Sequence, residues 1–375
     1  MIEPAAFVDH LGELGVSLFT GVPDSLLKEF GRYVMDRLPR ERHVIAANEG
    51  AAVGIAIGHH LRTGDVPLIY LQNSGFGNAV NPLLSLADPD VYGVPMVVLI
   101  GWRGQPGVKD EPQHVKQGRI MEPLAAAMDL PVTTLPSDGE AARVCMEEAV
   151  RAATADSTPY VVLVEKGTFA TANVVESSTT PPGPASREDA LIAAVNAIGD
   201  GHVLVATTGM LSRELFEHRE RTGTDASRDF LTVGGMGHAS SIALGIAMRE
   251  ADREVWCLDG DGALLMHLGS LAVIASHAPP TYFHIVFNNG VHDSVGGQPT
   301  SIAGVDVPAL ARAVGYRYGT ATAETDRIAD EVAALREHGG PSMLEIRVRP
   351  GNRPDIGRPT RSPAESKHAF MAGLS

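Results

Sequence analysis

The chain has 375 residues, including 40 glycines and 25 prolines, with 44% hydrophobic and 20% charged residues and a formal net charge of −15. At about 150 residues per domain this length provides for two cores, and the composition is that of an ordinary globular protein rather than a low-complexity chain. The acidic balance disfavours a non-specific grip on nucleic acid or anionic lipid, so an anionic ligand must be held by locally placed cations, a metal or backbone amides.

The first half alternates short apolar or β-branched runs with alanine-rich stretches of helical length. This pattern predicts strands over 17–20, 44–46, 67–71, 96–100, 132–135 and 160–164, and helices over 24–37, 49–62, 77–86, 118–128 and 138–154. Residues 176–186, rich in Ser, Thr, Pro and Gly, read as a linker. The alternation then restarts, with strands over 203–206, 230–233, 255–258, 282–287 and 343–348 and helices over 187–198, 240–249, 263–276, 307–314 and 323–337. After Pro350 the periodicity stops, and an irregular C-terminal tail is expected. Repeated strand–helix–strand units predict an α/β fold of two parallel-sheet domains with helices on both faces, over 1–175 and 187–375. No repeat of short period is visible.

No apolar run approaches the ~20 residues that span a bilayer. The N-terminus carries Glu3 and Asp9 and no basic stretch followed by an apolar one, so no secretory signal is visible. Cys145 and Cys257 cannot build a disulfide framework and read as small buried residues in a reducing cytoplasm.

In an open parallel sheet ligands bind beyond the carboxyl ends of the strands. Three loops stand out there in the second half: Gly234 to His238, then Gly260–Asp261–Gly262, then Asn288–Asn289–Gly290. The 28 residues between Asp261 and Asn289 suffice for one helix and a returning strand, which brings an acid and two amides to one sheet edge. Carboxylate, amide and carbonyl oxygens suit Mg²⁺, which keeps water and takes phosphate oxygens to complete its octahedron. A helix opening at Ala263 adds free N–H groups for a phosphate. Singly, Gly-Asp-Gly and Asn-Asn-Gly are ordinary turn chemistry, and it is the pair at this spacing that points to a site. The glycine pairs lack the third glycine of a dinucleotide fingerprint, and no phosphate-loop, zinc-protease or nucleophile-elbow motif is present.

Gly260–Asp261–Gly262, 25 residues and then Asn288–Asn289 resembles the signature of thiamine-diphosphate-dependent enzymes. The resemblance implies their cofactor-binding fold and a cofactor pair, thiamine diphosphate with Mg²⁺. Asp261, Asn289 and the carbonyl of Val291 are then the metal ligands. Gly235, Gly237, His238, Gly260, Gly262 and Ala263 line the cofactor, with Met236 as the apolar prop that keeps it bent. On the other domain the resemblance picks out Glu49, which follows a strand and opens an alanine-rich helix after Asn48. Asn48 and Glu49 also suit a helix start simply as cap and dipole partner. In this family Glu49 hydrogen-bonds the cofactor aminopyrimidine.

The stretches 20–25, 72–78, 101–107, 110–114 and 292–300 carry a closer resemblance, over nearly the whole chain, to the phosphonopyruvate decarboxylases, with sulfopyruvate decarboxylases next. The chain lacks the central third domain of the larger pyruvate-type decarboxylases, and Val115 follows His114 where those enzymes carry paired histidines. Decarboxylation of 3-phosphonopyruvate to phosphonoacetaldehyde and CO₂ is therefore expected, with His114 and Asp24 as acid–base residues beside Glu49. Arg103 and Lys109, with Lys116 and Arg119, are placed for the phosphonate. Ser25, Asn73, Ser74, Asn78, Gln113, Ser294 and Gln298 are candidate substrate contacts. Because Glu49 and Asp261 lie on different domains yet serve one cofactor, the resemblance also implies a homodimer, or a dimer of dimers, with sites between subunits. Sulfopyruvate decarboxylation, acyl carboligation and a non-catalytic Mg²⁺–nucleotide module remain as alternatives.

Overall fold

The structure, a computed structural model, describes residues 1–173 and 185–374. It divides into two compact units, Met1–Glu176 and Ser177–Ser375. Most of the expected linker, 176–184, lies outside the described residues, while Ser186 caps the helix Arg187–Ile198 by accepting from the Asp189 N–H.

In the first unit six parallel strands, β1 (Phe19–Gly21), β2 (His43–Ile45), β3 (Leu68–Gln72), β4 (Met96–Gly101), β5 (Val132–Thr134) and β6 (Pro159–Val164), lie in the order β2-β1-β3-β4-β6-β5. The inner strands are largely apolar because both faces are covered. On β4, Val97 and Leu99 join Phe7, Phe30 and Met146 from the helices of one face, while Met96, Val98 and Ile100 join Ala52, Phe76 and Met121 from the other.

The second unit contains β7 (Val203–Ala206), β8 (Asp229–Leu231), β9 (Val255–Gly260), β10 (Tyr282–Asn288), the hairpin β11 (Val291–His292) and β12 (Gln298–Pro299), then β13 (Tyr318–Thr322) and β14 (Ser342–Arg347). Its main sheet runs β13-β14-β10-β9-β7-β8, all parallel. With the hairpin set aside and strands counted from the start of each unit, both sheets have the order 2-1-3-4-6-5. The chain is thus a topological duplication that residue-level periodicity does not reveal. In each sheet the order reverses beside the first strand, which is where an α/β sheet opens a crevice at its carboxyl edge.

Several elements differ from the sequence expectation. Helices Pro4–Glu13 and Met210–Thr222 were not expected; in the second, buried Glu214, His218 and Arg219 interrupt the apolar stripe. Edge strand β13 has no apolar run to mark it. The helix expected over 24–37 starts at Lys28, because Asp24 holds the preceding turn. The one expected to open at Ala263 opens at Asp261, ends at Met266 and restarts as Ser270–His277. The segment after β4, expected as a long loop, winds into the helix Pro112–Arg119 with proline in its first turn.

The irregular C-terminal tail is also corrected: Pro363–Leu374 is a helix. Ser362 and Glu365 form a reciprocal cap, with the Ser362 N–H donating to the Glu365 carboxylate (2.9 Å) and the Glu365 N–H to Ser362 Oγ (3.3 Å). Phe370 anchors the helix on Phe230, with ring centroids 5.3 Å apart. Cys145 is half-buried, Cys257 is buried, and both are free thiols. Among the described residues no helix is long and apolar enough to cross a membrane.

Candidate active site

In the first unit the strands pair in register to their carboxyl ends, Gly21 against Tyr70 and Gln72 against Gly101, so the segments that follow them share one edge. Glu49 follows β2 and opens the helix Glu49–Thr63, whose N-cap Asn48 accepts from the Ala51 N–H at 2.9 Å. The Glu49 side chain is buried and accepts a hydrogen bond from Asn78 Nδ2 at 2.8 Å. Burial raises its pKa, and the Asn78 bond only partly opposes that. The other carboxylate oxygen lies over Gly75, where an added Cβ would stand 1.9 Å from Oε1. Only glycine leaves that space.

Asp24 follows β1 and is 2% exposed. Its Oδ2 accepts from the N–H groups of Leu26 (2.8 Å) and Leu27 (3.2 Å), whereas Oδ1 is buried with no partner. Desolvation outweighs those bonds and the nearby Arg103 charge, and pushes the carboxyl from 3.8 up to about 6. A second glycine makes room here, since a Cβ on Gly101 would stand 2.0 Å from Asp24 Oδ2. His114, on the helix after β4, is also buried, and its Nδ1 has no partner. Burial is the first cause lowering its pKa and the Arg103 charge the second, with Asp110 opposing.

Two of the expected substrate contacts are occupied by the protein itself. Arg103 spends Nε and Nη2 on both oxygens of Asp110 (2.7 and 2.5 Å) and Nη1 on Ser25 Oγ (3.0 Å). Its charge is therefore largely neutralised, and it is not the free phosphonate host expected from sequence. Asn73 donates to the Arg103 carbonyl (2.7 Å) and accepts from the Arg103 N–H (3.1 Å), so both ends of its amide tie β3 to the segment after β4. Ser74 is exposed and accepts from Gln72. Lys109, Lys116 and Arg119 are exposed, and Gln113 is half-buried beside them.

In the second unit Asp261 directly follows β9 and is 3% exposed. Thr300 Oγ1 donates to its Oδ2 at 2.5 Å, and the backbone N–H groups of Gly262 and Asn289 also face the carboxylate. Desolvation nevertheless lifts its pKa from 3.8 to about 6, the condition of a carboxylate that lacks a compensating cation. Asn289 lies after β10; its Oδ1 accepts from the Val291 N–H (3.1 Å) and its Nδ2 donates to Asp293 (2.6 Å). Beside Gly262 lie His292 and the Met236 methyl group, which a Cβ there would meet at 3.0 and 3.2 Å. Gly235 and Gly237 take positive φ around Met236, and the His238 and His267 rings meet edge to face at 4.4 Å. Gln298 is buried with Oε1 unpartnered, while Ser294 is exposed in the turn Asp293–Val295. The donor set of Asp261, Asn289 and the Val291 carbonyl is all oxygen and suits a hard divalent cation; Gly260 and Ala263 flank it.

What the sequence missed is chiefly the supporting cast: Gly75, Gly101, Asp110, Asp293 and Thr300. All five fall in stretches that the family resemblance had marked, but none was singled out there for a role.

The thiamine pyrophosphate (thiamine diphosphate) enzyme N-terminal TPP binding domain matches residues 4–130, and the C-terminal TPP binding domain of the same enzymes matches residues 207–346. Phosphonopyruvate decarboxylase from Streptomyces viridochromogenes is 37% identical, covering 99% of this chain and 95% of its own. That from Streptomyces hygroscopicus is 36% identical, covering 99% and 93%. Sulfopyruvate decarboxylase from Methanosarcina acetivorans is 25% identical, covering 98% and 96%.

Proposed function

Since the chain belongs to the thiamine pyrophosphate enzyme family, as a decarboxylase related over its whole length to phosphonopyruvate decarboxylases, we propose that it converts 3-phosphonopyruvate to phosphonoacetaldehyde and CO₂. The observation that carries the reaction class is Glu49, a desolvated carboxyl at the head of a helix in the N-terminal cofactor domain. The phosphonate is favoured over the sulfonate by 36–37% identity against 25% at equal coverage.

Bound thiamine diphosphate supplies the electron sink that accepts the pair released with CO₂. Asp261, Asn289 and the Val291 carbonyl hold Mg²⁺, with Gly260, Gly262 and Ala263 beside the diphosphate and Met236, between Gly235 and Gly237 and next to His238, against the cofactor rings. Burial raises the Glu49 pKa and so favours its protonated form, and Asn78 fixes the orientation of that carboxyl. Loss of CO₂ must be matched by return of one proton to carbon. Asp24, with its carboxyl at about 6, is partly protonated near neutrality, and His114 is the second proton carrier. With Arg103 engaged by Asp110, recognition of the anionic end falls to Lys109, Lys116 and Arg119, assisted by Gln113, Ser25, Asn78, Ser294 and Gln298. The working form is a homodimer or a dimer of dimers in the cytoplasm, with one subunit's Glu49 serving the cofactor held by the Asp261 of another.

Steady-state CO₂ release from phosphonopyruvate and from sulfopyruvate, with the aldehyde product identified, tests the reading. A preference for the sulfonate or a coupled ketol product overturns it. Glu49→Gln is expected to retain cofactor and lose most activity.

A further inference from the structure

The metal-ligand role of Asn289 requires that its carboxamide present oxygen to the cation, and an amide can sit either way round. Two contacts in the second unit set the orientation: the Val291 N–H donates to Asn289 Oδ1 at 3.1 Å, and Asp293 holds the NH₂ end from the other side. Asp293 Oδ2 lies 2.6 Å from Asn289 Nδ2, and a carboxylate only accepts, so the NH₂ must face Asp293 and Oδ1 must face away. Asp293 is in turn fixed. Arg187 Nη1 donates to the same oxygen at 3.0 Å, and the Gly351 N–H reaches both oxygens at 3.1 and 3.2 Å. Arg187 is then locked by a two-pronged pair with Glu214, 2.9 Å on each prong, in which the two side chains are 8% and 2% exposed.

We propose that Asp293 and Arg187 are positioning residues for the metal site: together they set which atom of Asn289 is offered to the cation, with Glu214 holding Arg187. The three residues come from three segments, the head of the helix Arg187–Ile198, the helix Met210–Thr222 and the turn after β11. They converge on one amide although Arg187 and Asp293 are 106 residues apart in sequence. A buried Arg–carboxylate cluster is weak evidence for stability, since desolvation consumes much of the Coulomb gain. Here it acts on a ligand. Hydrogen-bond partners of metal ligands commonly govern affinity by about 10–100-fold, because they fix ligand orientation.

The proposal rests on Asn289 being a metal ligand, and the test separates the two statements. Mn²⁺ affinity is measured by electron paramagnetic resonance on the full-length protein with thiamine diphosphate present, and kcat at saturating Mg²⁺ is followed alongside. Asp293→Asn lets the amide pair reverse, and Mn²⁺ affinity is expected to fall on the order of 10–100-fold while kcat at saturating metal changes by less than about threefold. Exchanging the two groups, Asn289→Asp with Asp293→Asn, puts a carboxylate at the metal and an NH₂ donor behind it, and is expected to restore affinity. Wild-type affinity in the single Asp293→Asn variant overturns the proposal. So does a loss that the exchange fails to restore, which is what a merely structural role for Asp293 produces. Asn289→Ala is the separate arm: unchanged Mn²⁺ affinity there removes Asn289 from the metal site itself.

Discussion

Gly75→Ala is the sharpest probe of the Glu49 site, because the three atoms nearest the methyl group it adds all belong to that side chain. Its Cβ would lie 1.9 Å from Glu49 Oε1, 2.4 Å from Cδ and 2.9 Å from Cγ. Gly75 has φ −84° and ψ −11°, which alanine adopts without strain. Relief of the clash to an ordinary contact of about 3.5 Å requires the carboxyl to move by about 1.5 Å. A displacement of that size at a catalytic group costs on the order of 100-fold in kcat. Folding should suffer far less, because the far end of a flexible side chain yields, so the melting temperature is expected to stay within a few degrees of wild type. Gly54→Ala, in the helix that Glu49 opens and with nothing within 4 Å of its added Cβ, is the control and should leave activity unchanged. A double-mutant cycle with Glu49→Ala completes the assay: once Glu49 is gone, Gly75→Ala should cost nothing more in kcat. Near wild-type turnover in Gly75→Ala, or full additivity in the cycle, would refute the reasoning that Gly75 exists to seat Glu49.

Asp24 binds its proton more tightly in the folded state, at about 6 against 3.8, so its contribution favours the fold below pH 4 and is lost as pH rises through 6. Asp24→Asn should therefore gain up to about 3 kcal/mol over wild type at pH 8 and little at pH 4 in urea unfolding, and a difference independent of pH contradicts the buried-carboxyl reading. Lys109→Ala combined with Arg119→Ala should raise KM for phosphonopyruvate with little change in kcat, read by initial rates. An unchanged KM moves the anion site elsewhere. Phe370→Ala removes the anchor of the C-terminal helix and should cost about 3 kcal/mol, checked by thermal melting and by proteolysis after Pro350.

The inner strands were legible because parallel sheets buried on both faces need continuous apolar runs, and the placement of Asp261 and Asn289 at the ends of two of them followed from those runs. The C-terminal helix was missed although Ser-x-x-Glu with proline at the first helical position is a local start signal, because the prolines and arginines before it mask the periodicity. The pairing of Arg103 with Asp110 was not foreseen because its partner lies seven residues away in an aperiodic segment, where no face or register predicts a pairing. Gly75 and Gly101 were invisible as supports. A glycine after a strand reads as a turn, and only the folded backbone brings it under a carboxylate from elsewhere in the chain.

The duplicated sheet order sharpens where function resides. The same scaffold carries different chemistry at corresponding strand ends: after the second strand, Glu49 in one unit and the Met236 loop in the other; after the third, the Asn73–Asn78 segment and Asp261; after the fourth, Arg103 and Asn289. Topology alone cannot distinguish the two units, so whatever differs in their chemistry is set by loop residues. Three buried carboxylates at the strand ends sit against a glycine or a backbone amide rather than in an ion pair: Glu49 over Gly75, Asp24 over Gly101, Asp261 facing the N–H groups of Gly262 and Asn289. That is how a chain of net charge −15 can bury these three of its acids with their pKa values raised. Desolvation without full compensation is what raises all three pKa values.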